Sequence, residues 1–299
     1  MTATSKLAEK LKTGRPALTA ECFPPRGADL AAVKKMAAAL PQGLDAVVVA
    51  DNPEEVRGSA TACAAILAGE GREPVLSIVT RDRNRVALES DVLGASLLGI
   101  RNFLCLSGDH QSMGVSPQAA GAYDIDSVQF ALALATMAQE GVGFDGRKVD
   151  PAPALLVGVV AHPYLRPMEL NLIRLKKKVA AGAAFLLTQA VFDLAGFAEW
   201  LEAVRAAGLD KQVAIIASVM PLPSVERAKE VQARKTYGPV GDDLVARLSK
   251  AADPAAESVA IAGQIAAKLK GMPGVRGIHI LSGGCEALAA GVIKEAGLA

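Results

Sequence analysis

The chain has 299 residues, of which 51% are apolar and only 4% aromatic, and its 32 basic residues nearly balance 31 acidic ones. A formal charge of +1 excludes the basic surplus of nucleic-acid-binding proteins, and there is no acidic tail. No apolar run approaches the roughly 18 residues that a membrane span requires, and the N-terminus has no signal-peptide core. We therefore expect a cytoplasmic protein with no membrane span and no nucleic-acid partner.

The four cysteines are scattered along the chain, and no two of them have the CxxC spacing of metal or redox sites. A chain of this length also does not need a disulfide scaffold for its stability. We therefore expect neither a metal site nor a disulfide scaffold. The cysteines are Cys22, Cys63, Cys105 and Cys285.

Short apolar runs rich in Val, Ile and Leu alternate with longer stretches of helical periodicity. In chain order the predicted elements are strand Ala17–Cys22, helix Asp29–Leu40, strand Asp45–Ala50, helix Glu54–Gly69, strand Val75–Thr80, helix Asp82–Leu98, strand Asn102–Leu106, helix Asp126–Glu140, strand Leu155–Val160, helix Met168–Ala181, strand Ala184–Gln189, helix Leu194–Ala206, strand Val213–Ser218, helices Ser224–Arg234, Asp242–Lys250 and Ala255–Lys270, strand Val275–Leu281 and helix Glu286–Ala296. Asp29, Asp82, Asp126 and Ser224 are typical of helix N-termini.

This alternation of strands and helices is compatible with a doubly wound sheet or a closed barrel. Eight strands, with no glycine-rich loop after the first, favour the barrel. The predicted fold class is α/β, a single (β/α)8 TIM barrel with extra helices before the last strand. No change in composition marks a second domain, so residues 1–299 are expected to form one domain.

The most informative polar residue is Glu21, which lies near the end of the first apolar run, just before Pro24 and Pro25. Proline has a fixed φ and no N–H donor, so the strand must stop there with Glu21 at its carboxyl end. Catalytic residues of (β/α)8 barrels lie at this end of the strands. The polar residues at the predicted strand ends are Glu21, Asp51, Arg81, Asp82, Asp109, His162, Gln189 and His279.

Purely structural roles remain open for some of these residues. Asp109 follows a strand break and could form a turn instead of a catalytic site. Glu21 could pair with Arg26. The run Lys176–Lys178 could be a solvated helix face, although Lys178 could also turn inward to a phosphate.

Five motifs, in the same order along the chain, resemble those of the methylenetetrahydrofolate reductases. They span about Ala17 to His279. The motifs are Glu21-Cys22-Phe23-Pro24-Pro25-Arg26, similar to E-F-F-P-P-R; Thr80-Arg81-Asp82-Arg83-Asn84, similar to a C-R-D-R-N form found in a subset of the family; Gly99-Ile100-Arg101-Asn102 through Ser107-Gly108-Asp109, similar to G-I-R-N…x-G-D; Lys177–Ala183 through Thr188-Gln189 and Phe192-Asp193, similar to K-K-V-x-A-G-A…T-Q-x-x-F-D; and Gly277-Ile278-His279, which falls where the family has G-V-H.

The resemblance implies a single flavin- and folate-binding barrel that reduces 5,10-methylenetetrahydrofolate to 5-methyltetrahydrofolate, in one-carbon metabolism and methionine biosynthesis. It implies that Glu21 is the general acid, protonating N10 of the folate, while hydride comes from N5 of reduced flavin. Asp109 would meet the pterin and adjust the electrostatics of the flavin ring, and Thr19 and Gln189 would help to bind the pterin. The residues that the resemblance assigns to flavin binding are Ser107, Gly108, Asp109, Tyr123, His162, Arg166, Asn171 and Lys178.

The chain also departs from the better-studied members of the family. The departures do not affect Glu21, but they concern the identity of the flavin and of the electron donor. FAD is favoured over FMN as the cofactor, and electrons would come from NAD(P)H or from a partner electron-transfer protein. The departures are Ala50 for Thr, Ser77 for His, His162 for Tyr, Asn171 for Asp, Val225 for an aromatic residue and Cys285 for Arg.

Two alternative functions follow from the same barrel. An aldolase or sugar-phosphate isomerase would need a Schiff-base lysine within a strand, and no predicted strand contains a lysine. The other alternative is a folate-binding or partner-docking barrel subunit of a larger complex, inactive alone or supplied with electrons by its partner. A homo-oligomer or a hetero-complex is compatible with the sequence.

Overall fold

Eight parallel strands close into a barrel in the computed structural model of the chain, which describes residues 5–110, 112, 116–234 and 237–298. Each strand pairs with its neighbour in sequence, and β8 pairs with β1. The predicted (β/α)8 barrel is therefore confirmed. The strands are β1 Ala17–Cys22, β2 Ala46–Val49, β3 Pro74–Val79, β4 Asn102–Leu106, β5 Leu156–Ala161, β6 Phe185–Ala190, β7 Ala214–Val219 and β8 Val275–Ile280.

The described helices follow the strands as in a β/α repeat, with α8, α9 and α10 all lying between β7 and β8. The prediction of extra helices before the last strand is therefore confirmed. None of the described helices is long and apolar enough to cross a membrane. The helices are α1 Lys6–Lys12, α2 Leu30–Ala39, α3 Ala60–Gly69, α4 Arg85–Leu97, α5 Ser127–Glu140, α6 Met168–Ala180, α7 Leu194–Ala206, α8 Val225–Arg234, α9 Asp242–Lys250, α10 Pro254–Leu269 and α11 Ala289–Glu295.

The predicted start of the third helical segment is wrong. The prediction placed it at Glu54, whereas α3 begins at Ala60, after the N-cap Ser59. The preceding segment is a loop because a residue distant in sequence binds it. The N–H of Gly58 donates to the carbonyl of Pro25 at 3.0 Å. A contact between residues this far apart in sequence overrides local helix propensity.

The start predicted at Asp82 is also wrong, and α1 was not predicted. Asp82 lies in a short 3-10 turn, and α4 begins only after Asn84, whose side chain accepts the N–H of Ala87 at 3.0 Å. Helix α1 has only three apolar residues, but all of them, Leu7, Ala8 and Leu11, are buried. Its stability therefore comes from tertiary packing, which periodicity over seven residues does not reveal.

The two faces of each strand contribute to different parts of the core. In β2, for example, Val49 packs toward the surrounding helices, whereas Val48 belongs to the cluster inside the barrel, as the two-residue period of a strand requires. Helix α1 closes the amino end of the barrel because Leu7 and Leu11 join that inner cluster. Ligands can therefore enter the barrel from the carboxyl ends of its strands.

Candidate active site

A cavity of about 330 Å³ opens at the carboxyl ends of the strands. Its floor includes the apolar side chains of Val48, Leu104, Val160 and Leu187. An apolar floor with a few polar groups around it is the usual composition of a small-molecule site. Of the residues predicted for the site or for the strand ends, those that line the cavity are Glu21, Asp51, Arg81, Ser107, Gly108, Asp109, His162, Lys178, Gln189 and His279.

Glu21 lies buried in the cavity wall near the end of β1. Its Oε2 accepts hydrogen bonds from the N–H groups of Ser282 (3.1 Å) and Gly283 (3.3 Å). Burial raises the pKa of Glu21 to about 7; the two N–H donors oppose this rise, and the carboxylates of Glu286 and Glu54 add to it. A carboxyl group with this pKa can hold a proton at neutral pH and deliver it to a ligand.

The proposed pairing of Glu21 with Arg26 does not form. Arg26 is an exposed residue, and its guanidinium pairs with Glu55 at 3.1 Å. The Glu21 carboxyl group is therefore available to a ligand in the cavity.

The turn that holds Glu21 follows β8 and was missed by the sequence analysis. Gly283 and Gly284 have φ values of 52° and 84°, a conformation that favours glycine. A Cβ on Gly283 would also meet the methyl group of Met220 at 2.6 Å. The Ser282-Gly283-Gly284 sequence after a strand is the signal that could have identified this turn.

Asp109 follows β4 and lines the cavity near its exposed mouth. Its carbonyl accepts a hydrogen bond from Nη1 of Arg81 at 2.9 Å, and the same guanidinium pairs with Asp82 at 2.8 Å. The backbone at Gly108 has a φ of 79°, and a Cβ there would meet Val79 at 2.5 Å. Arg81 and Asp82 therefore hold the loop that presents Asp109.

Asp51 also lies in the wall, but its carboxylate is already engaged. It accepts the N–H of Val79 at 2.9 Å and pairs with Arg83 at 2.7 Å. Arg83 in turn pairs with Asp91 of α4 at 2.9 Å. This strand-end carboxylate therefore joins β2, β3 and α4.

Lys178 of α6 reaches the side of the cavity formed by β5, where its Nζ donates to the carbonyl of Val160 at 2.5 Å. Burial lowers its pKa, and no described carboxylate forms an ion pair with it. The neighbouring His162 has its pKa lowered to about 4 by burial and by the Lys178 charge, so its imidazole is neutral at pH 7. On this side of the cavity Lys178 thus supplies a positive charge that forms no ion pair among the described residues, while the charges of Asp126 and Arg174 act on it from a greater distance.

Ser107 and Gln189 take different places in the wall. The hydroxyl of Ser107 lies 2.9 Å from that of Ser127 and accepts the N–H of Ser127 at 3.1 Å, which joins β4 to α5. Gln189 lies in β6, at the same end of the barrel as Glu21, and faces the cavity. Its amide can both donate and accept hydrogen bonds.

Thr19 and His279 form a buried pair within the barrel. The Thr19 hydroxyl lies 2.9 Å from Nδ1 of His279, and burial lowers the pKa of His279 to about 3. His279 lines the cavity, whereas Thr19, two residues before Glu21 on β1, does not. Thr19 therefore orients a residue of the wall.

Three residues assigned to flavin by resemblance lie outside the cavity lining. Tyr123 is 52% exposed and stacks on His110, with 6.1 Å between the ring centroids. Arg166 pairs with Glu199 on the surface at 2.6 Å. The amide of Asn171 is buried and donates to the carbonyl of His162 at 2.8 Å, so it holds the loop between β5 and α6.

A group of residues beside Glu21 was not predicted from the sequence. Tyr237 lines the cavity, and its hydroxyl donates to Glu54 at 3.0 Å. Arg227 of α8 pairs with Glu54 and lies 5.9 Å from the centroid of the Tyr237 ring. Because these residues come from separate loops and a helix, no local pattern identifies them. Among the described residues, no group of His, Cys, Asp and Glu has an arrangement that could hold a metal ion.

Comparisons with known proteins identify one family. The family model described as methylenetetrahydrofolate reductase matches residues 6–297. Among curated relatives, methylenetetrahydrofolate reductase 2 of Saccharomyces cerevisiae is 39% identical over 72 residues, which cover 22% of this chain and 12% of the relative. The 5,10-methylenetetrahydrofolate reductase of Escherichia coli is 29% identical over 136 residues, covering 44% of this chain and 38% of the relative. The enzyme of that name from Pectobacterium carotovorum is 24% identical over 226 residues, covering 73% of this chain and 68% of the relative.

Solved structures agree on the fold. The structure of 2,3-dimethylmalate lyase matches with a TM-score of 0.52 and 12% identity, covering 100% of this chain and 87% of that one. The structure of oxaloacetate acetylhydrolase matches with a TM-score of 0.53 and 12% identity, covering 98% of this chain and 84% of that one. At this identity the likeness concerns the barrel alone.

Proposed function

Because the chain belongs to the methylenetetrahydrofolate reductase family, we propose that it is an oxidoreductase that reduces 5,10-methylenetetrahydrofolate to 5-methyltetrahydrofolate. The barrel of residues 1–299 would be its single flavin- and folate-binding domain. The observation that carries the proposal is the buried Glu21 carboxyl group, with a pKa of about 7, in the wall of the cavity.

The reaction needs such an acid. Reduction begins when the bond between the methylene carbon and N10 of the folate breaks, which leaves an electrophilic iminium on the substrate. N10 is a poor leaving group unless it takes a proton, and Glu21 can supply that proton because it is half protonated near pH 7. The N–H groups of Ser282 and Gly283 then stabilise the carboxylate that remains.

The other polar residues of the wall suit the pterin. A carboxylate such as Asp109 can accept hydrogen bonds from pterin N–H groups, and the amide of Gln189 can pair with a ring edge that both donates and accepts. Thr19 would act on the substrate only through His279, because it does not line the cavity. These residues would hold the methylene carbon near the cofactor while Glu21 faces N10.

The residues present fit a flavin. The apolar floor suits a planar ring system, and the unpaired Lys178 suits an anionic phosphate. A bound flavin would supply hydride transfer, which no side chain of the protein can provide. Asp109, Gln189 and the neutral His162 would bind and orient the ring. FAD and FMN both carry a phosphate next to the ribityl chain, so Lys178 fits either of them.

The burial and raised pKa of Glu21 favour an enzyme over a folate-binding or partner-docking subunit, because a scaffold gains nothing from a buried carboxyl group whose ionisation is costly.

The electron donor is not identified by Glu21. NAD(P)H and a partner electron-transfer protein both remain candidates, and Val225, where the family has an aromatic residue, favours the partner.

The test is the visible absorption spectrum of the purified protein, recorded before and after the addition of FAD or FMN. We expect a flavin spectrum that bleaches under dithionite and returns on anaerobic addition of methylenetetrahydrofolate. Bleaching by NADH at micromolar concentration would rule out the need for a partner. A protein that binds neither flavin would refute the proposed reductase and favour the folate-binding subunit.

A further inference from the structure

The turn after β8 holds two carboxyl groups. The N–H groups of Ser282 and Gly283 donate to Glu21, and the N–H of Phe23 donates to Oε1 of Glu286 at 2.8 Å. The Ser282 hydroxyl also lies 3.5 Å from the same Glu286 oxygen. Glu286 is thus fixed to both segments that position Glu21, namely the end of β1 and the turn after β8.

The charge of Glu286 is not neutralised. Its hydrogen-bond donors are neutral groups, and no basic side chain among the described residues forms an ion pair with it. The second carboxylate near Glu21, Glu54, differs because it pairs with Arg227 and accepts the hydroxyl of Tyr237. A like charge disfavours ionisation of a neighbouring carboxyl group only to the extent that no cation offsets it.

We infer that Glu286 is a positioning residue that keeps the proton on Glu21, by holding an unneutralised carboxylate against the turn to which Glu21 is bound. This inference rests on the proposed role of Glu21 as the acid. Burial alone would make Glu21 protonated in an empty cavity, but the two N–H donors favour its anion. Glu286 counteracts these donors in part, so the same turn can hold the acid and later stabilise its conjugate base.

The charged and titratable groups around Glu21 come from several elements. Two carboxylates act on Glu21, and Glu54 is compensated by Arg227, so Glu286 is the one that no described cation compensates. The groups are Glu286 after β8, Glu54 before α3, Arg227 of α8, Tyr237 before α9 and Cys22 of β1, and they also include the neutral His279 of β8 and Cys63 of α3, which interacts with Cys22.

The experiment compares Glu286→Gln with the wild type. Glutamine keeps an oxygen that can accept the Phe23 N–H but removes the charge. Glutamate carboxyl groups are labelled with 13C in the full-length chain and titrated by NMR, and the Glu21 signal is identified by its loss in Glu21→Gln. We expect the Glu21 midpoint to fall by about one unit in Glu286→Gln, the usual scale for loss of one neighbouring like charge.

The same variant should change the pH profile of folate reduction. With a midpoint about one unit lower, the rate at pH 8 falls about tenfold, whereas at pH 5.5 it stays within about twofold of the wild type. Glu286→Asp keeps the charge and should largely restore the wild-type midpoint. A residue with only a structural role would lower the rate at every pH.

Glu89→Gln is the matched control. Glu89 of α4 also accepts a backbone N–H, that of Phe144 at 3.1 Å, and forms no ion pair among the described residues, but it lies outside the cavity. An unchanged Glu21 midpoint in Glu286→Gln, or an equal shift in Glu89→Gln, would overturn the inference. The NMR titration needs no turnover, so a shifted midpoint in a protein that does not reduce folate would support this inference and refute only the proposed function.

Discussion

Replacement of Glu21 by Gln tests the chemical and the energetic role of this residue together. With a pKa of about 7 instead of 4.5, the fraction of Glu21 that carries a proton at pH 7 rises from about 0.3% to about one half. Burial and its neighbours thus make the acid about 10²-fold more available. Glutamine has a similar shape and can accept the same two N–H bonds, but it has no proton to deliver.

The expected kinetic result is a loss of about 10²-fold or more in the rate of folate reduction, the usual scale for a general acid. The assay is stopped-flow reoxidation of the photoreduced protein by methylenetetrahydrofolate between pH 6 and 9. The wild-type rate should fall about tenfold for each pH unit above 7, whereas the residual rate of Glu21→Gln should not depend on pH. Flavin affinity, measured by fluorescence quenching, should stay unchanged.

The same substitution should stabilise the fold at alkaline pH. The raised pKa of Glu21 means that the folded protein binds more protons than the unfolded chain between about pH 4.5 and 7, so stability falls as pH rises through this window. This loss of unfolding free energy is absent below the window and complete above it. Its full size is about 3 kcal/mol, which corresponds to the 2.5 units by which the pKa is raised. Glu21→Gln removes this loss.

Thermal unfolding checks the energetic argument without substrate or cofactor. The Tm of Glu21→Gln should exceed that of the wild type by several degrees at pH 8, and the two should agree near pH 4.5. An equal difference at both pH values would contradict the burial argument. A wild-type rate with the wild-type pH profile would show that the proton comes from another group.

Two further predictions concern the other charged groups of the wall. Lys178→Met should weaken FMN binding about tenfold or more, because it removes the unpaired cation, whereas Lys176→Met, on the exposed part of α6, should leave it unchanged; equal affinities in fluorescence titrations would remove Lys178 from the flavin site. Asp51→Asn should lower the free energy of unfolding in urea by about 1–3 kcal/mol, because Arg83 loses its buried partner. An unchanged urea midpoint in Asp51→Asn would show that this pair does not stabilise the barrel.

The barrel could be predicted because its signals are local. Strands buried on both faces are continuous apolar runs, and proline or glycine ends several of them, as Pro24 does after β1. The exceptions have non-local causes. Helix α3 starts late because Gly58 is bound to Pro25, and α1 forms because Leu7 fills the amino end of the barrel.

The candidate site was only partly predictable, since strand-end position does not tell a free carboxylate from a paired one. Asp51 and Asp109 both follow apolar strands, yet Asp51 pairs with Arg83, 32 residues away, and only Asp109 faces the cavity without an ion pair. Similarly, nothing near Tyr237 in sequence indicates that its hydroxyl reaches Glu54. These contacts depend on barrel closure, which brings distant loops together.

The pairing of charges around the cavity explains how one wall can serve both structure and chemistry. Asp51 is neutralised by Arg83, and Arg81 by Asp82, so these pairs fix the loops without imposing a net charge on a ligand. Among the described residues, three charged or titratable groups of the wall form no ion pair: Glu21 on β1, Asp109 after β4 and Lys178 beside β5. In a closed eight-stranded barrel β1 and β5 lie on opposite sides, so the acid and the cation are as far apart as the barrel allows. A proton on Glu21 and an anion on Lys178 can therefore coexist. This is the arrangement that a folate and a flavin phosphate, bound side by side, would require.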